Sequence, residues 1–525
     1  SEILRADLLG KNQRSTYLKI LKRYYELNIE LLVKLYEKSA DAKYLEQAWQ
    51  NQEKIRARSL LENFLESGFD LNNAELKDFF AKEQNLLETI AAEELKRAEA
   101  VRTKNLTAQK TAETNLQKVL DEYHVLQEEI RKKNPRFSAL GLPKDFSFAD
   151  AQNLLDEDTA FLEYSLGERQ SYVWIISKTS VKLVKLPARN DINDAAREFY
   201  LALVNREAKN ETAVIEKSRK LSRQILEPLS KEIANLKRLI IIADGFLQLV
   251  PFAALTLDAK TEIVNAPSFS SLVFLRENKT QRQIPSDKLL AIFADPIFQN
   301  DDERIAKVTP KNSTKQTEES AKLTQTLSDF GVERLARLPF SGIEAREISK
   351  FAPEKSILVL GANASRQNFL RGDFASYRIL HFATHGFLNQ QNPDLSGLVL
   401  SLFDENRRRQ NGFLRVIDLY SLRLNADLVV LSACQTALGK DVDGEGIIGL
   451  THGFLYAGAS SVVSSLWKVE DAATAELMKR FYRAMLKENQ TPSSALRIAQ
   501  NEMRQIPRFS NPRHWAGFTL TGEWK

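Results

Sequence analysis

The spacing of apolar residues changes character once along this chain. From residue 1 to about 135 they recur every three or four positions, with glycine and proline nearly absent, which predicts helices throughout. Residues 17–38 form one amphipathic helix, carrying Leu18, Leu21, Tyr25, Ile29, Leu32 and Leu35 on related faces. A short break at 40–43 leads into a second helix over 44–65. Two helices joined by a short turn suit a tetratricopeptide-type hairpin, although no second copy follows at the 34-residue period. Residues 76–133 read as one long charged helix or a pair, ending before Asn134-Pro135. They serve either as a hairpin covering the next domain or as a partner-binding arm.

From Ala149 onward the pattern shifts to short apolar runs separated by helical stretches. Residues 159–165 and 171–177 flank Gly167-Glu168-Arg169 as a hairpin, with a third strand over 181–186. Helical patterns follow over 193–204 and 213–235, the latter broken at Pro228. Buried strands are expected at 238–243 and 288–293. Residues 299–334 are polar and poor in aromatics, an exposed loop that is either a plain insertion or a regulatory or self-cleavage site. A second α/β unit starts near Leu338. Its strands are expected at 356–360, 378–382, 398–403, 428–431, 460–466 and 518–520, and its helices at 341–352, 365–370, 446–456, 472–487 and 493–504. Alternation of strand and helix implies a parallel sheet with helices on both faces.

Length and charge narrow the class. At 525 residues, and about 150 per domain, the chain holds roughly three domains. Lys+Arg 74 against Asp+Glu 69 leaves a net charge of +5, too balanced to point to nucleic acid. No run of apolar residues is long enough for a membrane span, and the start lacks a signal-peptide pattern. The chain opens on Ser1 rather than Met, which fits an end made by processing or truncation. One cysteine cannot form an internal disulfide, which fits a reducing, cytoplasmic setting. Without clustered cysteines or a His/Asp/Glu cluster of ligand spacing, neither a metal nor a cofactor is expected.

The lone Cys434 follows the apolar run Leu428–Leu431 and the small pair Ser432-Ala433. His385 follows a run of the same design, 378–382, and precedes Gly386. In an open parallel sheet, ligands bind beyond the carboxyl ends of strands. Neighbouring strands would therefore unite the two residues across 49 positions, a caspase-like separation. An imidazole beside a thiol raises the thiolate population and can later protonate a leaving amine. The backbone N–H groups of Gly386 and Cys434 are the candidate oxyanion donors; a backbone carbonyl could orient the ring. His381, inside its strand, reads as packed core, and His452 as structural. His124 and His514 show no partner in the sequence.

Specific motifs carry a family resemblance. They are His381-Phe-Ala-Thr-His-Gly-Phe387, Pro393-Asp-Leu-Ser-Gly-Leu398, Leu431-Ser-Ala-Cys-Gln-Thr436, Gly444-Glu-Gly-Ile-Ile-Gly-Leu450, Phe454-Leu-Tyr-Ala-Gly-Ala459, Val462-Val-Ser-Ser-Leu-Trp467 and Trp515-Ala-Gly-Phe518. Asp244-Gly245 with Pro251-Phe-Ala-Ala-Leu255 fits the family's amino-terminal half. From about Ala149 to Lys525 the chain resembles the CHAT family, caspase-like proteases associated with tetratricopeptide repeats, within the caspase and separase group.

The resemblance implies a caspase-like parallel sheet sandwiched by helices over 338–525. Before it come a sister pseudo-protease α/β unit over 149–297, the polar loop 298–337 and a helical region 1–135. It implies a cysteine endopeptidase with Cys434 as nucleophile and His385 as general base. By analogy with separase-like enzymes, an acid in Trp467-Lys-Val-Glu-Asp471 would bind a basic substrate side chain: Asp471, with Glu470 in reserve. Asp471 fits equally as the cap of the helix that follows, and Asp443 and Glu445 are further acidic candidates. The expected partners are a protein substrate and an activating or regulatory protein bound through the amino-terminal helices, with no nucleic acid or membrane. A non-catalytic scaffold that binds partners through the helical region is the alternative, and a thiol hydrolase of non-protein substrates is disfavoured.

Overall fold

The computed structural model describes residues 11–56, scattered helical positions between 82 and 100, 105–133, 146–205, 211–255, 259–280, 288–305, 335–387, 396–419, 422–432, 440–442 and 446–524. The amino-terminal helices Lys11–Ser39 and Ala42–Ile55 pack as a hairpin. Ala40, at φ 58°, makes the turn, and the Asp41 carboxylate caps the second helix through the Lys43 N–H. Ile29, Val33, Leu45, Ala48 and Trp49 are buried. The second helix stops earlier than its pattern predicts. Arg56 turns to extended backbone (φ −82°, ψ 134°) and carries its side chain onto the sheet, and residues 57–65 lie outside the described residues. The helix Leu106–Lys133 forms its own small cluster through Leu116, Leu120 and Tyr123.

The remainder is built on an eleven-stranded sheet. In chain order its strands are β1 (Thr159–Ser165), β2 (Ser171–Ser177), β3 (Val181–Leu186), β4 (Arg238–Ile242), β5 (Glu262–Asn265), β6 (Leu290–Ala294), β7 (Ser356–Leu360) and β8 (Ile379–Ala383). Next come three outside it: β9 (His385–Phe387), β10 (Gly397–Val399) and β11 (Phe413–Arg415). The others are β12 (Leu428–Leu431), the hairpin β13 (Lys440–Val442) and β14 (Gly446–Ile448), β15 (Ser461–Ser465) and β16 (Phe518–Gly522). The sheet order is β3-β2-β1-β4-β5-β16-β15-β12-β8-β6-β7, while β9, β10 and β11 form a small separate sheet.

The sheet has two halves of opposite polarity. β1, β4, β5 and β16 run parallel to one another. β15, β12, β8, β6 and β7 form the second parallel set. The sets meet antiparallel at β15–β16, so their carboxyl ends face opposite edges. Side chains alternate between two cores, as in β6, where Leu290, Ile292 and Ala294 face one and Ala291 and Phe293 the other. Strands covered on both faces read as continuous apolar runs, which is why the sequence shows them so clearly.

The structure corrects several expectations. The 288–293 run was grouped with the earlier unit, yet β6 pairs with β7 and β8 in the second half. β5 was missed: it is four residues long and only alternately buried, too little for a pattern. The expected helix 446–456 begins only at Leu450, because β-branched Ile447 and Ile448 extend into β14. The expected strand 398–403 is reduced to β10, with a single bridge from Phe403 to Arg409. At Pro228 the helix Glu211–Ile225 gives way to a 3₁₀ turn over Glu227–Leu229, with proline at its start, where a missing N–H costs nothing.

Candidate active site

The register of β8 and β12 sets the site. Phe382 pairs with Leu431, and His385 and Cys434 each lie three residues further along. Cys434 lies outside the described residues, as do Asp443 and Glu445. His385 opens β9 opposite Val399, with Gly386 opposite Leu398. The imidazole is buried, and its ring centroid lies 5.1 Å from that of Phe298. Nε2 donates to the carbonyl of Ala336 at 2.8 Å, which leaves Nδ1 as the nitrogen with the free lone pair. Burial holds the imidazole below its ordinary range, the Ala336 carbonyl opposes that, and the Lys468 charge adds to it.

The segment that offers the Ala336 carbonyl is itself clamped. Arg337 makes a two-pronged bond to Asp295, Nε to Oδ1 at 2.9 Å and Nη2 to Oδ2 at 2.8 Å. Arg304 approaches the same carboxylate at 2.8 Å, and Gln299 donates to the Leu335 carbonyl at 3.0 Å. Gly342 is required here, since a Cβ would lie 2.9 Å from Asp295 Oδ2. Sequence reasoning missed this clamp: Asp295 lies just past the expected strand 288–293 with nothing to single it out, and the 335–338 stretch falls at the end of a polar loop.

A cavity of about 470 Å³ opens at Thr384, the residue before the histidine. Its lining includes Thr384, Ser432, Ser465, Lys468, Glu470 and Asp471. Asp471 and Glu470 differ sharply. Glu470 is exposed and paired with Arg508 at 3.0 Å, with His514 Nδ1 at 3.8 Å. Asp471 is the first residue of the helix Asp471–Leu486; it accepts the Phe340 N–H at 3.0 Å and has no cationic partner among the described residues. Its carboxyl is raised to about 6, chiefly by burial, with the charges of Glu344 and Asp295 adding and the Phe340 N–H opposing. The residue before the helix is Glu470, whose side chain makes no cap bond, so Asp471 does not act as the N-cap.

His381 is packed in the core below this site. Its Nδ1 lies 3.1 Å from the Tyr482 hydroxyl, and its Nε2 lies 2.9 Å from Glu344 Oε1 without the alignment of a hydrogen bond. The side chain of His124 lies outside the described residues, and His452 is half-buried on the helix Leu450–Tyr456. Among the described residues no group of three or more His, Cys, Asp or Glu could hold a metal ion, and no helix is long and apolar enough to cross a membrane.

The fold is thus an α/β sheet flanked by helices, with a buried histidine at a strand exit. The chain belongs to the CHAT domain family, whose domain matches residues 216–523. The match begins within the helix Glu211–Ile225 and reaches β16, so it takes in the second half of the sheet and part of the first.

Tetratricopeptide repeat protein 28 of Mus musculus is 41% identical over 109 residues, 21% of this chain and 4% of that protein. Its Homo sapiens counterpart is 39% identical over 113 residues, 22% of this chain and 4% of that protein. The alignment thus spans a small fraction of either relative. Among solved structures, the Saccharomyces cerevisiae separase–securin complex is 10% identical, covering 94% of this chain and 40% of that one, with a TM-score of 0.46. The Arg-specific cysteine proteinase gingipain R is also 10% identical, covering 64% and 74%, with a TM-score of 0.35.

Proposed function

We propose that the chain is a cysteine endopeptidase that cleaves protein substrates after a basic residue, with Cys434 as nucleophile and His385 as general base. Membership of the CHAT family supports the class. The observation that carries the reading is His385 itself: buried, oriented through Nε2 by the Ala336 carbonyl, and placed at a strand exit whose neighbour in register leads to the only cysteine.

The chemistry follows from that geometry. A depressed imidazole is neutral near pH 7, so Nδ1 can take the thiol proton. The thiolate attacks the scissile carbonyl, the N–H groups of Gly386 and Cys434 hold the oxyanion, and the imidazolium passes its proton to the departing amine. Water then releases the acyl group by the reverse sequence. Asp471, lacking a cation among the described residues, is suited to pair with the Arg or Lys of the substrate; a neutral side chain would leave that carboxylate unpaired.

In this account residues 338–525, together with β6, perform catalysis, the rest of 149–297 supports them, and 1–135 meets a regulatory protein partner. A fluorogenic peptide with Arg or Lys before the scissile bond, assayed beside Cys434→Ala, tests the reading. Cleavage that disappears in the variant supports it; equal turnover by the variant removes it. A thiol-reactive probe with a basic side chain, used with and without candidate partners, extends the test to a latent enzyme.

A further inference from the structure

The first half of the sheet repeats the register of the candidate active site. In the second half Phe382 of β8 pairs with Leu431 of β12, three residues before His385 and Cys434. In the first half Ile241 of β4 pairs with Asn265 of β5, three residues before Asp244 and Ser268. Asp244 thus stands at the histidine's register and Ser268 at the cysteine's. The Asp244 carboxylate is taken up by backbone, accepting the N–H groups of Leu166 at 2.7 Å and Gly245 at 2.9 Å. Ser268 is buried and accepts the Ser271 N–H at 3.0 Å, at the start of the helix Phe269–Thr280.

This second strand-end site is filled by the helix Ala42–Ile55 and the residue that ends it. Glu53 accepts the N–H groups of Phe269 at 3.1 Å and Ser270 at 3.0 Å, and the Ser270 hydroxyl at 2.7 Å. Those donors directly follow Ser268, where a carboxylate gains from both the open N–H groups and the helix dipole. Arg56 donates to the carbonyls of Tyr164 and Ala243, at the ends of β1 and β4, and its Nε lies 3.4 Å from Glu163. Gln52 accepts from Ser165 at 2.8 Å, and Trp49 donates to Glu163 at 2.7 Å. All of these side chains are buried or nearly so. Burial, first, and the neighbouring Glu53 charge raise Glu163 well above the ordinary carboxylate range, while the Arg56 charge and the Trp49 N–H oppose that rise.

We propose that the helical region docks as the built-in ligand of a disused twin of the active site, with Glu53 and Arg56 as its polar clamp and Ser268 sealed beneath it. The clamp fixes where the hairpin sits; the apolar face around Leu45 and Ala48 only adds area. The helices thereby grip the ends of β1 and β4 and the start of a helix of the sheet layer. This inference stands apart from the protease reading, and its test does not use catalysis.

The test uses the full chain with Cys434→Ala and Ser268→Cys, so that the only thiol lies at the twin position. Alkylation by iodoacetamide should be slow in this background. Adding Glu53→Ala with Arg56→Ala should speed it about tenfold or more, because each buried charged hydrogen-bonding group anchors the helix against local opening. Glu53→Gln, the milder change, should give an intermediate rate with an unaltered melting transition, and it is the variant to read if the double substitution does not fold. Leu45→Ala should accelerate alkylation less than either. Fast alkylation with the clamp intact, no acceleration on weakening it, or a larger effect from Leu45→Ala would overturn the inference.

Discussion

The two halves of the sheet end their strands in matching register and put opposite chemistry there. At the exit of β8 stands an imidazole with one nitrogen held by a carbonyl and the other left with its lone pair. At the matching exit of β4 stands Asp244, its carboxylate occupied by two backbone N–H groups. Beside β12 lies a cavity lined by Asp471, a carboxylate with no cation among the described residues. Beside β5 the corresponding space is filled by Glu53 and Arg56. What separates the two strand ends is thus whether their polar groups are already satisfied. A satisfied group stabilises the fold; a group left open is available to a substrate.

The comparison breaks most directly at its twin positions. His385→Ala should lower kcat/KM by about 10³-fold, in the range of general-base removal, with little change in melting temperature. Asp244→Ala should do the reverse, leaving turnover intact while costing about 1–2 kcal/mol in chemical denaturation, because two backbone donors lose their acceptor. If both substitutions moved the same quantity, the halves would not be specialised as described.

Asp471→Asn should lower kcat/KM for an Arg substrate about 10²-fold while sparing a substrate with a neutral side chain at that position. The pH dependence sharpens this. On the proposed mechanism the intact site needs Asp471 ionised and His385 neutral, so cleavage of the Arg substrate should rise with pH through about 6. In Asp471→Asn only the histidine limb, lying below the ordinary imidazole range, should remain.

A smaller effect is expected from Arg337→Ala, which removes the clamp on the Ala336 segment without touching substrate. It should lower kcat about tenfold with KM nearly unchanged, as expected when a positioning contact is lost. The smallest effect concerns stability. The carboxyl of Asp471 is raised to about 6 in the folded chain from an ordinary 3.8. Its neutral form is therefore favoured by folding, and that contribution is present below pH 4 and lost as pH rises through 6. Asp471→Asn should accordingly be more stable than the parent by about 1 kcal/mol at pH 7.5, the raw shift being discounted for a half-exposed group, and equal to it near pH 3.5.

How much of this was legible in the sequence follows from what leaves a pattern. The hairpin β1–β2 and the strand β12 fall at their expected positions, because strands buried on both faces are plain apolar runs, and the partly exposed edge strand β7 also falls where its apolar run predicts. His385 and Gly386 were legible as strand-exit residues of small, polar character. The Ala336 carbonyl was not, because a backbone acceptor has no residue-type signal. Asp471 was legible as an acid but not as an uncapped one, since that depends on the Phe340 N–H some 131 positions away. The placement of β6 was equally hidden: strand order depends on which neighbour buries a run, and an all-apolar pentapeptide fits beside many. Nor did anything in the amphipathic pattern of 44–65 separate Glu53 and Arg56 from solvent-facing charges.

The central claim is that His385 governs the reactivity of Cys434, and because the chain has a single cysteine one measurement addresses it without any activating partner. The rate of iodoacetamide alkylation should be followed against pH in the parent and in His385→Ala. The account predicts that the parent is alkylated well below pH 8.5, because the neutral imidazole takes the thiol proton as the sulfur attacks, and that in the variant this reactivity is lost and alkylation appears only around the ordinary thiol value of about 8.5. Superimposable profiles with an ordinary inflection in both would contradict it.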